Sequence, residues 1–172
     1  FGYFFVGLLW VGNALLIDNN PYAWAWPLAV LGLPVLLSFF LAILLTAGRF
    51  LLTPPAPLFP ALFASLFTIA EYARGHLFTG FPWNLPGMYW STTLSVFQIV
   101  SVCGVYGLTF ITVFVAAHLT HKVCFQTRHR LLDVAVVLMC AGILYFGVNR
   151  LEGPPMRAAP AHAPAHFEHI VM

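Results

Sequence analysis

The amino-acid sequence predicts an all-α, polytopic integral membrane helical bundle in which five helices cross the bilayer. Three observations predict it. Hydrophobic residues make up 61% of the 172 and charged residues only 7%, against about a quarter charged in an ordinary soluble domain. The mean hydropathy is +0.90. Long stretches also lack the polar stripe that a helix of a soluble bundle carries. So few charges cannot coat a water-facing surface of this size. A formal net charge of +2, with no basic patch, also argues against a nucleic-acid partner.

A bilayer core of about 30 Å takes about 20 apolar residues as helix. The first span is 1–17, the second 27–47, the third 58–78, the fourth 94–118 and the fifth 132–148. Pro34 falls inside the second and predicts a kink. Pro57 and Pro60 open the third, where proline is tolerated because the first amides of a helix have no internal partner. Turn-rich joints, DNNPYAWAW, GRFLLTPPAP, TGFPWNLPGMYWS and HKVCFQTRHR, separate the spans. Residues 1–150 therefore read as one transmembrane domain. Residues 151–172, rich in Pro and Ala, read as an extended linker closing on FEHIVM, the start of a β-strand. The chain opens on FGYFFVGLLW without an initiator Met or a basic leader, and both ends read as cut from a longer protein.

Orientation follows from the basic residues. The joint after the second span carries Arg49, and the joint after the fourth carries Lys122, Arg128 and Arg130. The joints after the first and third carry none, and the first carries Asp18. Positive joints stay in the cytoplasm, so the chain is expected to start inside and to emerge outside at Arg150, a weak exception in charge. Trp24, Trp26, Trp83 and Trp90, with Tyr22 and Tyr89, then fall at the outer ends, where amphipathic rings prefer the headgroup zone.

Glu71 and Arg74 stand inside the third span, three residues apart and so on one face, with Tyr72 and His76 beside them. A charge near the bilayer centre costs at least about 2.5 to 3.5 kcal/mol on insertion scales, which pairing reduces. Two readings follow: an ion pair that locks this helix to its neighbours, or a pair lining a polar pocket for a lipid headgroup. They are compatible. The following TGFPWN, Thr79 to Asn84, is irregular backbone that must be buried in protein or wetted, and is expected to fold over the helix ends. Gly104 and Gly107, with Ser101, give the fourth span a small-residue packing face. Cys103, Cys124 and Cys140 form no CxxC pair, and Cys103 and Cys140 read as buried thiols. His162, His166 and His169 lie on a Pro-broken segment with no fixed face, so no metal site is expected.

ExxR near the end of a span, then TGFPWN, then an apolar helix with GVYGLTF, resembles bacterial apolipoprotein N-acyltransferase, of the nitrilase superfamily. GYFFVGLLWVGNALL and PLAVLGLPVLLSFFLA are similar to its third and fourth membrane helices, and the resemblance covers about residues 1–155. It implies a location in the bacterial inner membrane, with the chain starting in the cytoplasm and ending in the periplasm. It implies a parent with eight membrane helices and a nitrilase-like domain inserted outside after the seventh, so that these spans are helices three to seven. The family moves an acyl chain from a phospholipid to the N-terminal diacylglyceryl-cysteine of lipoproteins, without a cofactor. It works through a thioester on a Cys, aided by a Glu base and a Lys, all in that outer domain. None of those three maps onto this chain, which is expected to be inactive alone. What carries over is Glu71, Arg74 and the loop Thr79, Gly80, Phe81, Pro82, Trp83, Asn84, as shapers of a lipid cavity, with Trp83 and Trp90 flanking acyl chains. The competing readings are a non-catalytic membrane scaffold and a small transporter, although no internal repeat is evident.

Overall fold

The computed structural model describes residues 1–17, 19–50, 56–77, 80, 82–126 and 129–153. Among them the chain is helical, with no strand. The linker, the FEHIVM stretch, Asp18, Arg128, Thr79, Phe81 and the tail histidines lie outside the described residues.

The first span begins as α1, Gly2–Leu8, and tightens into a 3-10 helix over Leu9–Leu16. A 3-10 turn, Ala23–Ala25, and a π-turn, Leu28–Gly32, lead into α2, Leu33–Gly48. The expected kink thus takes the form of the π-turn. Pro34 has no N–H for the carbonyl four residues back, and the turn before it widens. The third span is α3, Phe59–His76, opened by Pro60. A 3-10 segment, Pro86–Thr92, and a single-turn α4, Leu94–Phe97, precede α5, Val100–Phe125, and α6, Arg130–Glu152.

Ala23–Gly48, Val100–Phe125 and Arg130–Glu152 are long and apolar enough to cross a bilayer, and Gly2–Leu16 is a shorter apolar helix. α3 is 18 residues long, and its Glu71, Arg74 and His76 lower its hydropathy below that of a free-standing span. It is covered by protein instead: α3 packs between α2 and α5. Small side chains permit this approach, with Ala64 and Ala70 fully buried and the Leu66 side chain lying where a Cβ on Gly48 would stand. The fourth span differs from expectation. Gly104 leaves helical geometry at φ 69° and ψ 175°, so the straight part of α5 begins after it, and the helix runs on to a left-handed cap at Gln126.

Phe4, Leu8 and Leu37 form the core between α1 and α2, joined by Val11, Leu33 and Leu41. Elsewhere large apolar side chains point outward, among them Ile43, Val137 and Leu138. That is how a bundle solvated by lipid chains looks. α6 packs against α4, where Gly147 receives the Ser95 backbone so closely that a Cβ would collide with the Ser95 carbonyl oxygen.

Candidate functional site

The sequence FTIAEYARGH makes one helical turn of α3 carry both charges, and the geometry joins them. An Arg74 Nη2–H donates to Glu71 Oε2 within the turn, and both side chains are wholly buried. The Arg74 guanidinium lies 5.0 Å from the centre of the Phe4 ring, so α1 roofs the pair with an aromatic face. Glu71 Oε1 has no hydrogen-bond partner among the described residues. Of the two sequence readings, this burial favours the lock.

Asn84 is the hub of the loop above. The Tyr3 hydroxyl donates to its carbonyl, and the Tyr89 hydroxyl donates to its Oδ1 at 2.8 Å. Its amide nitrogen points back to the Tyr3 carbonyl at 3.5 Å. Asn84 has a positive φ of 63°, a conformation that Asn tolerates better than most side chains. Its side chain occupies the place of a Cβ on Gly7. Gly80 also needs its positive φ of 71°, because a Cβ there would lie 2.6 Å from the Gly75 carbonyl. Trp83 stacks obliquely on Trp10 at 5.5 Å.

Beyond Asn84 the chain lies lengthwise along α5. The Gly87 amide donates to Thr109 Oγ1 at 3.1 Å, and the Trp90 indole donates to Thr112 Oγ1 at 2.9 Å. Both threonines spend their own hydrogens on α5 carbonyls, Val105 at 2.9 Å and Leu108 at 2.7 Å, which leaves the oxygens as acceptors. Trp90 therefore stands beside the middle of α5 rather than in a belt at its end. The sequence signal was GVYGLTFIT, whose two threonines lie one turn apart; hydropathy alone hides them. On the other side of α3, Tyr72 stacks on His76 at 4.0 Å and meets Tyr106 at 5.4 Å.

α5 and α6 are tied at both ends. At one end His118 Nε2 and Lys122 Nζ reach Asp133 at 2.9 and 2.6 Å, and at the other Arg150 donates to Ser101 Oγ at 2.8 Å. Between these ties lies an apolar groove of about 400 Å³, bounded by Trp90, Val96, Leu108, Thr112, Cys140 and Ile143. Cys140 is half-buried there, whereas Cys103 is exposed, contrary to the expected buried thiol. Helical geometry breaks at Gly104 beside it, and residues 101–104 are all exposed. Among the described residues no three His, Cys, Asp or Glu gather into a metal site.

Residues 1–118 match the family model of the apolipoprotein N-acyltransferase N-terminal domain. The chain belongs to that family. It is 40% identical over 158 residues to the apolipoprotein N-acyltransferase of Rhodopseudomonas palustris, covering 90% of this chain and 29% of that protein. That of Allorhizobium ampelinum is 39% identical over 157 residues, again 90% of this chain and 29% of the relative. That of Bradyrhizobium diazoefficiens is 49% identical over 116 residues, 67% of this chain and 21% of the relative. The chain thus spans less than a third of the length of these curated relatives. No solved structure matches.

Within this N-terminal domain, the structure brings together Glu71, Arg74, Gly80, Pro82, Trp83 and Asn84 at one end of α3 and α1, and sets Trp90 apart on α5. The sequence gives no sign that Tyr3, Phe4, Thr109 and Thr112 serve this site, and it marks Tyr89 only as a ring at the outer ends. They are ordinary residues of a greasy helix until their distant partners are known.

Proposed function

We propose that this chain is the membrane half of an apolipoprotein N-acyltransferase. In this reading the whole protein transfers an acyl chain from a phospholipid to the N-terminal diacylglyceryl-cysteine of lipoproteins. The observation that carries the proposal is the braced segment 82–92: the Asn84 hub holds one end, and Thr109 and Thr112 hold the other. A rigid, irregular segment at membrane depth beside an apolar groove suits a site that receives lipid from the bilayer. Glu71 and Arg74 act in it as an internal lock that shapes the cavity, while Trp83 and Trp90 flank acyl chains. Thr79 and Phe81 belong to the same TGFPWN stretch of sequence and are proposed for the same role. The phospholipid and the lipoprotein are the partners, and no cofactor takes part.

The membrane is the bacterial inner membrane. Arg49, Lys122 and Arg130 lie on the cytoplasmic side and residue 153 on the periplasmic side, in keeping with the excess of basic residues at one end. The thioester chemistry belongs to a nitrilase-like domain, so the chain by itself gives no transfer.

The test is acyl transfer from a fluorescent phospholipid to a diacylglyceryl-cysteine peptide, catalysed by the protein extended to the full length of its relatives. Arg74→Ala is expected to lower the rate by about tenfold or more, the effect of losing one charge-assisted contact. Unchanged transfer in a folded Arg74→Ala protein overturns the cavity-shaping role. Absence of transfer by the full-length parent overturns the assignment itself.

A further inference from the structure

The two glycines of α5 answer different demands. At Gly107 a Cβ would collide with the Cys103 side chain, so close packing excludes one. At Gly104 a Cβ would meet nothing within 4 Å, and only the backbone, at φ 69° and ψ 175°, calls for glycine. That region is essentially closed to residues with a side chain. Glycine enters positive φ about as readily as negative φ, so position 104 can hold a broken or a straight helix at comparable cost. Residues 101–104 are all exposed, and little packing opposes a turn there.

The chain on either side of Gly104 belongs to different parts of the bundle. Before it, amides donating from Phe97 to Thr93, from Gln98 to Leu94 and from Cys103 to Ile99 make 94–103 a short helical segment. That segment rides on α6. α4 packs there, the Ser95 backbone crosses Gly147, and Arg150 donates to Ser101 Oγ at 2.8 Å. After Gly104, α5 packs on α3, with the Tyr106 ring 5.4 Å from Tyr72 and its hydroxyl where a Cβ on Gly75 would stand. The bonds of Gly87 to Thr109 and of Trp90 to Thr112 add the 86–92 segment to this second body. Thr93, at φ −112° and ψ 83°, is the non-helical joint at the other end of 94–103. Two joints thus bound a segment that is docked on α6, and the apolar groove separates α6 from the middle of α5.

At the opposite end of α6, Asp133 takes both His118 and Lys122 of α5. This clasp makes a pivot. Gly147 lies about 21 Å from Asp133 along the helix, and Tyr145 about 18 Å. Sharp helix kinks exceed about 20°. A swing of about 20° about the clasp carries Gly147 by about 7 Å and Tyr145 by about 6 Å.

We infer that Gly104 and Thr93 are hinges on which residues 94–103 and α6 swing as one body about the Asp133 clasp, widening and narrowing the gap to α5. The motion goes beyond the lipid-handling function proposed above and needs no turnover.

The test measures distances between spin labels by pulsed electron paramagnetic resonance, on the 172-residue chain in nanodiscs. Cys103, Cys124 and Cys140 are first replaced by alanine. Labels on Ile69→Cys in α3 and Tyr145→Cys in α6 read the swing. Labels on Ile69→Cys and Val123→Cys in α5 read the fixed body, and all three positions are exposed. With Gly104 in place, the 69–145 distances are expected to fall in two populations separated by up to about 6 Å, and the 69–123 distances in one. Gly104→Ala cannot hold the broken backbone, while its methyl meets nothing, so it is expected to leave one of the two populations. Gly142→Ala, whose methyl also meets nothing, is expected to leave both. A single 69–145 population with Gly104 in place overturns the hinge and makes the break a fixed kink. Two populations that persist in Gly104→Ala overturn it as well. Should Gly104→Ala alter the 69–123 distance too, the distributions with Gly104 in place decide: two for 69–145 beside one for 69–123 uphold the hinge, and any other pattern overturns it.

Discussion

Removing Arg74 is the sharpest test of the lock. Both side chains of the pair are wholly buried, so solvent screening does not weaken it. Arg74→Ala leaves the Glu71 carboxylate in a dry site and deprives the Phe4 ring of its cation. Breaking a buried pair by removing one partner costs about 3 to 5 kcal/mol, and the cation–π contact, about 0.5 to 2 kcal/mol, falls within that figure rather than adding to it. Glu71→Met with Arg74→Met removes both charges at similar volume and is expected to cost less than about 1.5 kcal/mol. The two changes are therefore strongly non-additive. The assay is equilibrium unfolding in mixed micelles, followed by circular dichroism, with hydrogen exchange of residues 82–90 as a second readout. Because Phe4 adjoins Tyr3, and Tyr3 holds Asn84, exchange there should quicken in Arg74→Ala and recover in the double variant. A cost below about 0.5 kcal/mol for Arg74→Ala, as for exposed pairs, refutes the reasoning.

Three further outcomes are expected. Gly147→Ala drives a methyl into the Ser95 carbonyl and should cost at least about 1 to 3 kcal/mol. Gly142→Ala on the same helix, where a Cβ meets nothing within 4 Å, should be neutral or stabilising by up to about 1 kcal/mol; thermal unfolding of the two side by side decides it. Thr112→Val removes the acceptor of the Trp90 indole and should cost about 1 kcal/mol, with a shift of that indole N–H resonance in NMR spectra. Tyr3→Phe removes one strut of the Asn84 hub at a cost of about 0.5 to 1.5 kcal/mol, and should speed exchange in the loop without altering helix content by circular dichroism.

Much of the site was legible residue by residue. Glu71 and Arg74 announced themselves because ionisable groups inside an apolar span are costly and need partners. The three-residue spacing alone placed them on one face, and the structure joins them there. The Gly and Pro of TGFPWN predict irregular backbone there. What could not be read was the depth of the segment that follows. Pro86–Thr92 lies along α5 because Gly87 has no side chain and its amide reaches Thr109, a pairing across 22 residues. Had a residue with a Cβ stood at 87, it would have met the Val105 carbonyl at 2.6 Å. The break at Gly104 was equally hidden, since small residues in a span serve close packing and broken backbone alike.

The sequence by itself determined the class of the protein and its family, because composition and run length decide whether a chain prefers lipid to water. It also determined where the long apolar runs and the costly charges lie, both local properties of the chain. Tertiary structure alone decided that Phe4 roofs the ion pair, that Trp90 stands beside α5, and that α5 and α6 are held apart around a narrow groove. Each of these depends on which side chains from distant segments arrive at one point. Hydropathy is a sum along the chain and carries no record of that meeting.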